Sequence, residues 1–418
     1  MSALPASGSV APPPSIRRNA LYVTIANTAY AASQWSLLVL LAQLGDATRI
    51  GRFALALGVV TPVFQFTNLQ LRDLLATEPQ DGRSPRTYVV LRGLGIVVGF
   101  VAALACVPLW GTATGGFAAV AALAAYKAVD AGCDLIYGAL QRREQLERVA
   151  RSLIARAALA PVAGAAALWF GADDIGFALG IAAAWGLVLV WDLVTASRQR
   201  LFDGRPVSRT DTTRLLATAW PMGGVMAILA LYVSIPRLWL EGAAGTGAVG
   251  VLAALAYLQV PLGTVATAVA ASASPRMARL VADEDWAAAR VLMRRLLLVG
   301  AAAGLAAIVG FLALGPWFAR LAYGPAVTGS RAAFAFLGVS TAAVVLGNFA
   351  GSMATALRII RPQLVIHVSS IGCLAIVCAL AIPAWGVTGA LAALAVAQGL
   401  ASAGFGVLVW TRMREAPR

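Results

Sequence analysis

Apolar stretches long enough to cross a bilayer recur along the whole chain, separated by short polar breaks. Twelve are read, at about 19–44, 50–71, 87–110, 116–140, 150–170, 175–196, 213–236, 244–270, 291–315, 331–355, 361–383 and 386–411. A spanning helix needs about twenty apolar residues, so each stretch predicts one transmembrane helix. Within several of them polar residues recur every three or four positions and so share one helix face. In the fourth span the polar row is Lys127, Asp130, Asp134, Tyr137 and Gln141. In the second it is Thr61, Gln65, Asn68 and Arg72, and in the first it is Asn27 and Gln34. The second half is milder. It has Thr341, Asn348, Ser352 and Thr355 in span 10, Gln363, His367 and Ser370 in span 11, and Arg237 at the outer end of span 7.

A charge at bilayer depth costs about 2.5–3.5 kcal/mol on insertion scales. Lys127, the only lysine, sits near the middle of a twenty-five-residue apolar segment, Gly116 to Leu140. Its stripe must therefore face other helices or a water-filled cavity. The three N-half stripes predict a common cavity, whereas a structural ion pair locking the bundle is the competing reading. Fixed cations in such a cavity suit an anionic ligand, and a phosphate or diphosphate satisfies them best because it is multiply charged and accepts many charge-assisted hydrogen bonds. The candidate binding residues are Lys127, Arg72, Arg92, Arg237, Asn68, Gln65, Asn27 and Gln34. Asp130 and Asp134 are candidates either for holding Lys127 or for taking a proton or Na⁺ during a cycle. Arg72, Arg92 and Arg237 lie near span ends, where snorkelling to the interface is an equal alternative.

Composition agrees with a polytopic membrane protein. The chain is 60% hydrophobic and 12% charged, with a mean hydropathy of +0.81. Soluble domains carry about 25% charged residues. Of the 31 arginines, 26 fall in the termini and the even-numbered connections and 5 in the odd-numbered ones. The positive-inside rule then places both termini and the even connections in the cytoplasm. The net charge of +14 is mostly this arginine; it suits contact with anionic membrane lipids and needs no nucleic acid.

Residues 1–15 are Pro, Ala and Ser without charge and predict a disordered tail. Spans 1–6 form an N-lobe over 16–197 and spans 7–12 a C-lobe over 213–411, joined by a basic linker at 198–212, with 412–418 as a second tail. A short internal repeat supports the two halves. Gly51 and Gly250, in equivalent spans, are each followed eleven residues later by a proline, Pro62 and Pro261. Six spans is an even number, so such halves are related by a pseudo-two-fold axis along the membrane normal. The segments Gln141–Arg156 and Asp283–Arg295 predict two amphipathic helices resting on headgroups.

Other chemistries find no support. No glycine-rich loop precedes Lys127, so there is no phosphate-binding loop for ATP. The four cysteines have neither zinc nor disulfide spacing, and the single histidine, His367, has no partners for a metal site. No nucleophile–base motif suggests an enzyme, and no cofactor is implied beyond coupling to H⁺ or Na⁺.

Two runs, Asn68-Leu69-Gln70-Leu71-Arg72 and Ala76-Thr77-Glu78, resemble the end of span 2 in bacterial polysaccharide exporters. Tyr137-Gly138-Ala139-Leu140-Gln141-Arg142 resembles their span-4 exit. Val249-Gly250 through Ala256-Tyr257, with Ser274-Pro275-Arg276, resembles span 8 and its exit. The chain thus resembles the oligosaccharide-flippase branch of the multidrug/oligosaccharidyl-lipid/polysaccharide superfamily, with Glu78 where an aspartate is usual. The resemblance implies an all-α membrane protein of twelve helices in two six-helix lobes forming a V like the MATE transporters. It also implies movement of a polyprenyl-diphosphate-linked oligosaccharide (an O-antigen, capsule or exopolysaccharide unit) across the bacterial inner membrane, in company with polysaccharide assembly proteins. A drug or cation exporter of the same superfamily, a major-facilitator transporter and a membrane scaffold are the alternatives.

The arginine distribution makes a direct prediction. In a cysteine-free background, single cysteines near 143, 205 and 285 should resist impermeant thiol reagents applied from outside. Labelling from outside at any of the three would reverse the orientation.

Overall fold

The computed structural model describes residues 16–79, 82–110, 116–359 and 361–415, so the expected disordered tail at 1–15 lies outside the described residues. Among those described there is helix and no strand. The helices are α1 (Ile16–Gln43), α2 (Ala47–Asn68), α3 (Leu71–Thr77), α4 (Pro85–Ala105), α5 (Val107–Trp110), α6 (Gly116–Arg142), α7 (Leu146–Trp169), α8 (Asp174–Arg198), α9 (Arg209–Tyr257), α10 (Val260–Ala282), α11 (Trp286–Tyr323), α12 (Arg331–Ala356) and α13 (Arg361–Glu415). Two are double. α9 is broken at Gly245 (φ 78°) and α13 at Gly386 (φ 53°), positions in the left-handed region where glycine carries no Cβ penalty. With those breaks, and with the short second arm of α9 and α10 together forming the span expected at 244–270 and interrupted at Leu258–Gln259, the described helices account for the expected twelve spans, in two lobes.

Local chemistry sets several helix starts. Asp46, Asp173 and Ser330 accept from the backbone N–H three residues on (2.8, 2.9 and 3.1 Å) and so cap α2, α8 and α12. Asp285 does the same for α11 at 2.9 Å. That cap corrects one expectation. Asp283–Arg295 is not a separate surface helix. It leads directly into α11, which runs 38 residues, about 57 Å, and carries Arg290, Arg294 and Arg295 in its first three turns. Likewise Gln141–Arg156 is not one helix. The chain turns at Glu144 (φ 57°), and α7 starts at Leu146, so Arg156 is carried into the bundle. The second span is also broken. Leu69 and Gln70 adopt left-handed backbone (φ 54° and 50°), and Arg72 sits on α3 rather than on the face that carries Gln65 and Asn68. Pro62 lies inside α2, but Pro261 occupies the first turn of α10, where its missing N–H leaves no bond unmade.

The core divides unequally. At the arginine-poor end one continuous cluster draws on both lobes, including Leu41, Ile50, Phe64, Trp185, Leu252, Tyr323, Leu337 and Leu394. At the arginine-rich end there are separate cores. One is built on Tyr88, Ile136, Tyr137 and Val149 of the N-lobe together with Leu215 and Ala219 at the start of α9, the other on Met277, Met353, Phe405 and Val409 of the C-lobe. Polar contacts between lobes follow the same division. Trp35 Nε1 donates to Tyr323 Oη at 2.9 Å, Gln43 Nε2 to Ala322 O at 2.9 Å, and Arg237 to Ala54 O at 3.0 Å. The lobes therefore share one core at the arginine-poor end, while at the arginine-rich end they meet along the α9 side and otherwise keep separate cores.

α2 and α9 form the seam along one side of this V. A Cβ on Gly250 would lie 1.8 Å from Ala47 O, and one on Gly51 would lie 1.9 Å from Thr246 O. Towards the other end, a Cβ on Gly223 would lie 2.4 Å from Phe66 O. Backbones this close leave no room for any side chain, as at the small-residue interfaces of membrane helices.

The connection after the seam is clasped by Glu78. Its carboxylate accepts from Arg83 N at 2.7 Å, Tyr88 Oη at 2.7 Å and Arg83 Nη1 at 3.1 Å. Burial pushes this carboxyl up, but those hydrogen bonds and the Arg83 charge outweigh it and hold it below the usual glutamate range.

Candidate functional site: a cation-rich network in the N-lobe

α6 is enclosed by α2, α3, α4, α7 and α8, and its polar stripe meets charged side chains from these neighbours. Asp134 is held from two sides. Arg72 Nη1 of α3 approaches Oδ1 at 3.3 Å, and Arg92 Nη2 of α4 approaches Oδ2 at 3.2 Å. Arg92 also donates to Asn68 Oδ1, and Arg72 Nε to Gln141 Oε1 at 3.1 Å. The Arg72 guanidinium lies 5.5 Å from the Tyr137 ring. The break at Leu69–Gln70 thus separates Asn68 from Arg72 in the chain, yet both converge on this carboxylate and its partners.

One turn away Asp130 is also held twice. Lys127 Nζ is 3.6 Å from Oδ2, and Arg156 of α7 donates to Oδ1. Arg156 is almost completely buried, its side chain 2% exposed. Its guanidinium stacks 3.7 Å from the Trp185 ring and 5.5 Å from the Tyr30 ring. A third chain of contacts continues behind it. Ser152 Oγ donates to Asp192 at 2.6 Å, which leaves its oxygen to accept from Tyr137 Oη at 2.6 Å. Nearby, Tyr126 Oη donates to Gln34 Oε1 at 3.0 Å, tying α1 to α6 next to Lys127.

Four cations therefore meet two carboxylates, and Asp192 adds a third acid. The cations fall into two kinds. Arg92 and Arg156 are buried (3% and 2% exposed) and position the acids, whereas Arg72 and Lys127 remain open to solvent (27% and 21%). Such an arrangement keeps both acids paired, and four cations against the three carboxylates Asp130, Asp134 and Asp192 leave the network one positive charge in surplus.

The expected residues divide accordingly. Lys127, Asp130, Asp134, Arg72, Arg92 and Asn68 are brought together, and Gln34 lies alongside through Tyr126. Gln65 makes no hydrogen bond to this network, and Asn27 is exposed on α1. Arg237 is elsewhere. It is buried at the arginine-poor end against Ala54 O, where it joins the lobes. Arg156, Ser152, Asp192, Tyr30 and Trp185 were not singled out by the sequence. Asp192 carried a signal, since it is the one acid in the interior of the apolar run 175–196. Arg156 did not, because it reads as one more arginine of a basic connection.

Comparison with known proteins follows this geometry. No family model matches the chain. It is 22% identical over 387 residues to the capsular polysaccharide biosynthesis protein CapF of Staphylococcus aureus, covering 91% of this chain and 96% of CapF. Among solved structures it is similar to the inward-facing conformation of a multidrug resistance MATE family transporter of the MOP superfamily. That match has a TM-score of 0.65 and 14% identity, and covers 94% of each chain. The chain has the fold of that superfamily. It is also similar to a MOP superfamily transporter from Pyrococcus furiosus described as having a binding pocket of reverse polarity. There the TM-score is 0.64 at 13% identity, covering 96% of this chain and 95% of that one.

The network predicts unequal costs. Lys127→Ala leaves Asp130 with Arg156, so thermal unfolding in detergent should barely change. Asp130→Ala strands the buried Arg156 and should cost about 3–5 kcal/mol. Equal stability losses in the two variants would contradict the division into positioning and solvent-facing cations.

Proposed function

We propose that this chain is a flippase for polyprenyl-diphosphate-linked oligosaccharides, working by alternating access in the bacterial inner membrane. The observation that carries the reading is the surplus of cations over carboxylates at Arg72, Lys127, Arg92 and Arg156, with the two most accessible carboxylates each held by two cations. A drug or cation exporter of this fold needs an accessible, uncommitted acid for its ligand or coupling ion; Asp130 and Asp134 are both committed to cations, and Asp192, which meets Ser152, is buried. The similarity to CapF supports the polysaccharide branch.

The diphosphate enters from the arginine-rich, cytoplasmic side, where the lobes keep separate cores. Lys127 and Arg72 meet its oxygens, and Arg92 and Arg156 keep the acids from repelling it. The polyprenyl tail stays in lipid. Transfer then exchanges the joined and open ends of the V, so the shared core with the Trp35–Tyr323 and Gln43–Ala322 contacts must part while contacts form at the opposite end. The tight α2–α9 seam supports a rocking motion about that side. Asp130 and Asp134 act as counter-ions; coupling to H⁺ or Na⁺ would require one of them to release its partner.

Proteoliposomes loaded with undecaprenyl-diphosphate-linked oligosaccharide extracted from the producing cells test this. Wild-type protein should move the saccharide across the bilayer, with Lys127→Ala at least tenfold slower at unchanged stability. Wild-type transfer no faster than in empty liposomes, with export of a lipophilic cation in its place, would establish the exporter reading.

A further inference from the structure

The C-lobe contains a cavity of about 410 Å³ whose wall differs in kind from the N-lobe network. It lies between α12, both arms of α13 and Tyr232 of α9. No Arg, Lys, Asp or Glu lines it. Its polar groups are amides and hydroxyls, among them Asn348, Ser352, Gln363 and Gln398, with His367 between aromatic rings. The His367 ring lies 5.2 Å from Phe405 and 6.3 Å from Tyr232, meeting both edge-on.

Several of these groups have spare hydrogen-bonding capacity. Asn348 Nδ2 donates to Thr267 Oγ1 at 3.1 Å and Gly263 O at 3.4 Å, which fixes the amide while its oxygen has no partner among the described residues. The Gln398 amide meets Ser340 Oγ at 2.5 Å through one of its two polar ends, and the other end has no partner among the described residues. His367 Nδ1 is buried without a partner. An unmatched buried polar atom costs about 1–3 kcal/mol, so His367 Nδ1 points to something that completes it, and the Asn348 and Gln398 amides line the same space. A diphosphate is poorly served here because there is no cation to meet it. A hydrophobic cation is poorly served because there is no carboxylate. A neutral saccharide fits: its hydroxyls both donate and accept, as the amides do, and its C–H faces pack on aromatic rings. The volume lies in the range of small-ligand sites, about 300–1,000 Å³.

We propose that this C-lobe cavity is a binding site for a neutral sugar unit, so that the two lobes divide one ligand, cations taking the diphosphate and amides and aromatics taking the saccharide. This rests on the flippase reading for the source of the sugar. It further implies that the sugar, and not only the diphosphate, contributes to which lipid-linked intermediate is accepted.

Gly351 provides the test. It lines the cavity, and a Cβ there would meet only Phe405, at 4.0 Å, so Gly351→Leu fills the space without removing a hydrogen bond. Gln398→Met is the second variant, removing the free amide at similar volume. Full-length protein in nanodiscs is titrated by saturation-transfer NMR with methyl glycosides of glucose, galactose, mannose, rhamnose, N-acetylglucosamine and N-acetylgalactosamine. At least one should bind wild-type protein, and both variants should weaken it tenfold or more while binding bare undecaprenyl diphosphate as wild type does. Failure of every glycoside to bind, or unchanged binding in both variants, would overturn the site. Glycosides bound here by a wild-type protein that does not bind undecaprenyl diphosphate would keep the saccharide site and discard the flippase reading.

Discussion

Arg156 is shut off from water, so the protein itself must meet its charge. It does so with parts of four helices: the Asp130 carboxylate of α6, the rings of Tyr30 on α1 and Trp185 on α8, and its own place on α7. Trp185 returns the contact by donating to Arg156 O at 3.2 Å. A buried guanidinium is costly unless its charge and its planar face are both satisfied, and the arrangement does both. Once Asp130 is committed to Arg156, Lys127 is left as a supplementary partner with its ammonium towards solvent. The same logic repeats at Asp134, where buried Arg92 commits the carboxylate and Arg72 stays accessible. The more exposed cations Arg72 and Lys127 are thus a by-product of pairing the buried charges first.

The C-lobe shows the opposite solution to polar groups inside a membrane bundle. It uses hydroxyls and amides in place of ions. Ser370 donates to Ala397 O and Ser402 to Ala343 O, while Ser340 bridges the side-chain amides of Gln259 and Gln398, donating its one proton to one and accepting from the other. Bonds of this kind contribute about 0.6 kcal/mol each on average. They hold α10, α12 and α13 together without fixing charge in the lobe. The two lobes thus satisfy their buried polar groups by different chemistry, ion pairs in one and amides and hydroxyls in the other. Between them lies a seam that admits only backbone against backbone at Gly51 and Gly250. Packing that tight tolerates rotation about the contact better than separation, which suits rocking lobes.

The architecture was legible in the sequence because bilayer thickness and arginine placement constrain it strongly. All twelve spans were found from apolar length alone, and the stripe at 127, 130 and 134 identified the face that carries the charge network. The left-handed break at Leu69–Gln70 was not legible, since neither residue favours positive φ and only surrounding packing holds it there. Arg156 was missed because sequence position suggested an interfacial helix, whereas the turn at Glu144 carries it a full three turns into the bundle. Arg237 was misjudged for the complementary reason. Charge and depth in a span do not say which helix lies opposite, and α2 rather than the cavity lies opposite it. The C-lobe residues Asn348, Gln363 and His367 were visible as polar positions, but the cavity they share depends on how α12 folds against both arms of α13.

The account turns on the sign of the charge presented by Lys127 and Arg72. Equilibrium dialysis of purified protein in nanodiscs against tetraphenylphosphonium and against undecaprenyl diphosphate, at low and high salt, reads that sign directly. The account predicts that undecaprenyl diphosphate binds, that added salt weakens it because screening reaches a wet site, that Arg72→Glu weakens it further, and that tetraphenylphosphonium does not compete. Saturable binding of tetraphenylphosphonium with no binding of the diphosphate lipid would contradict it.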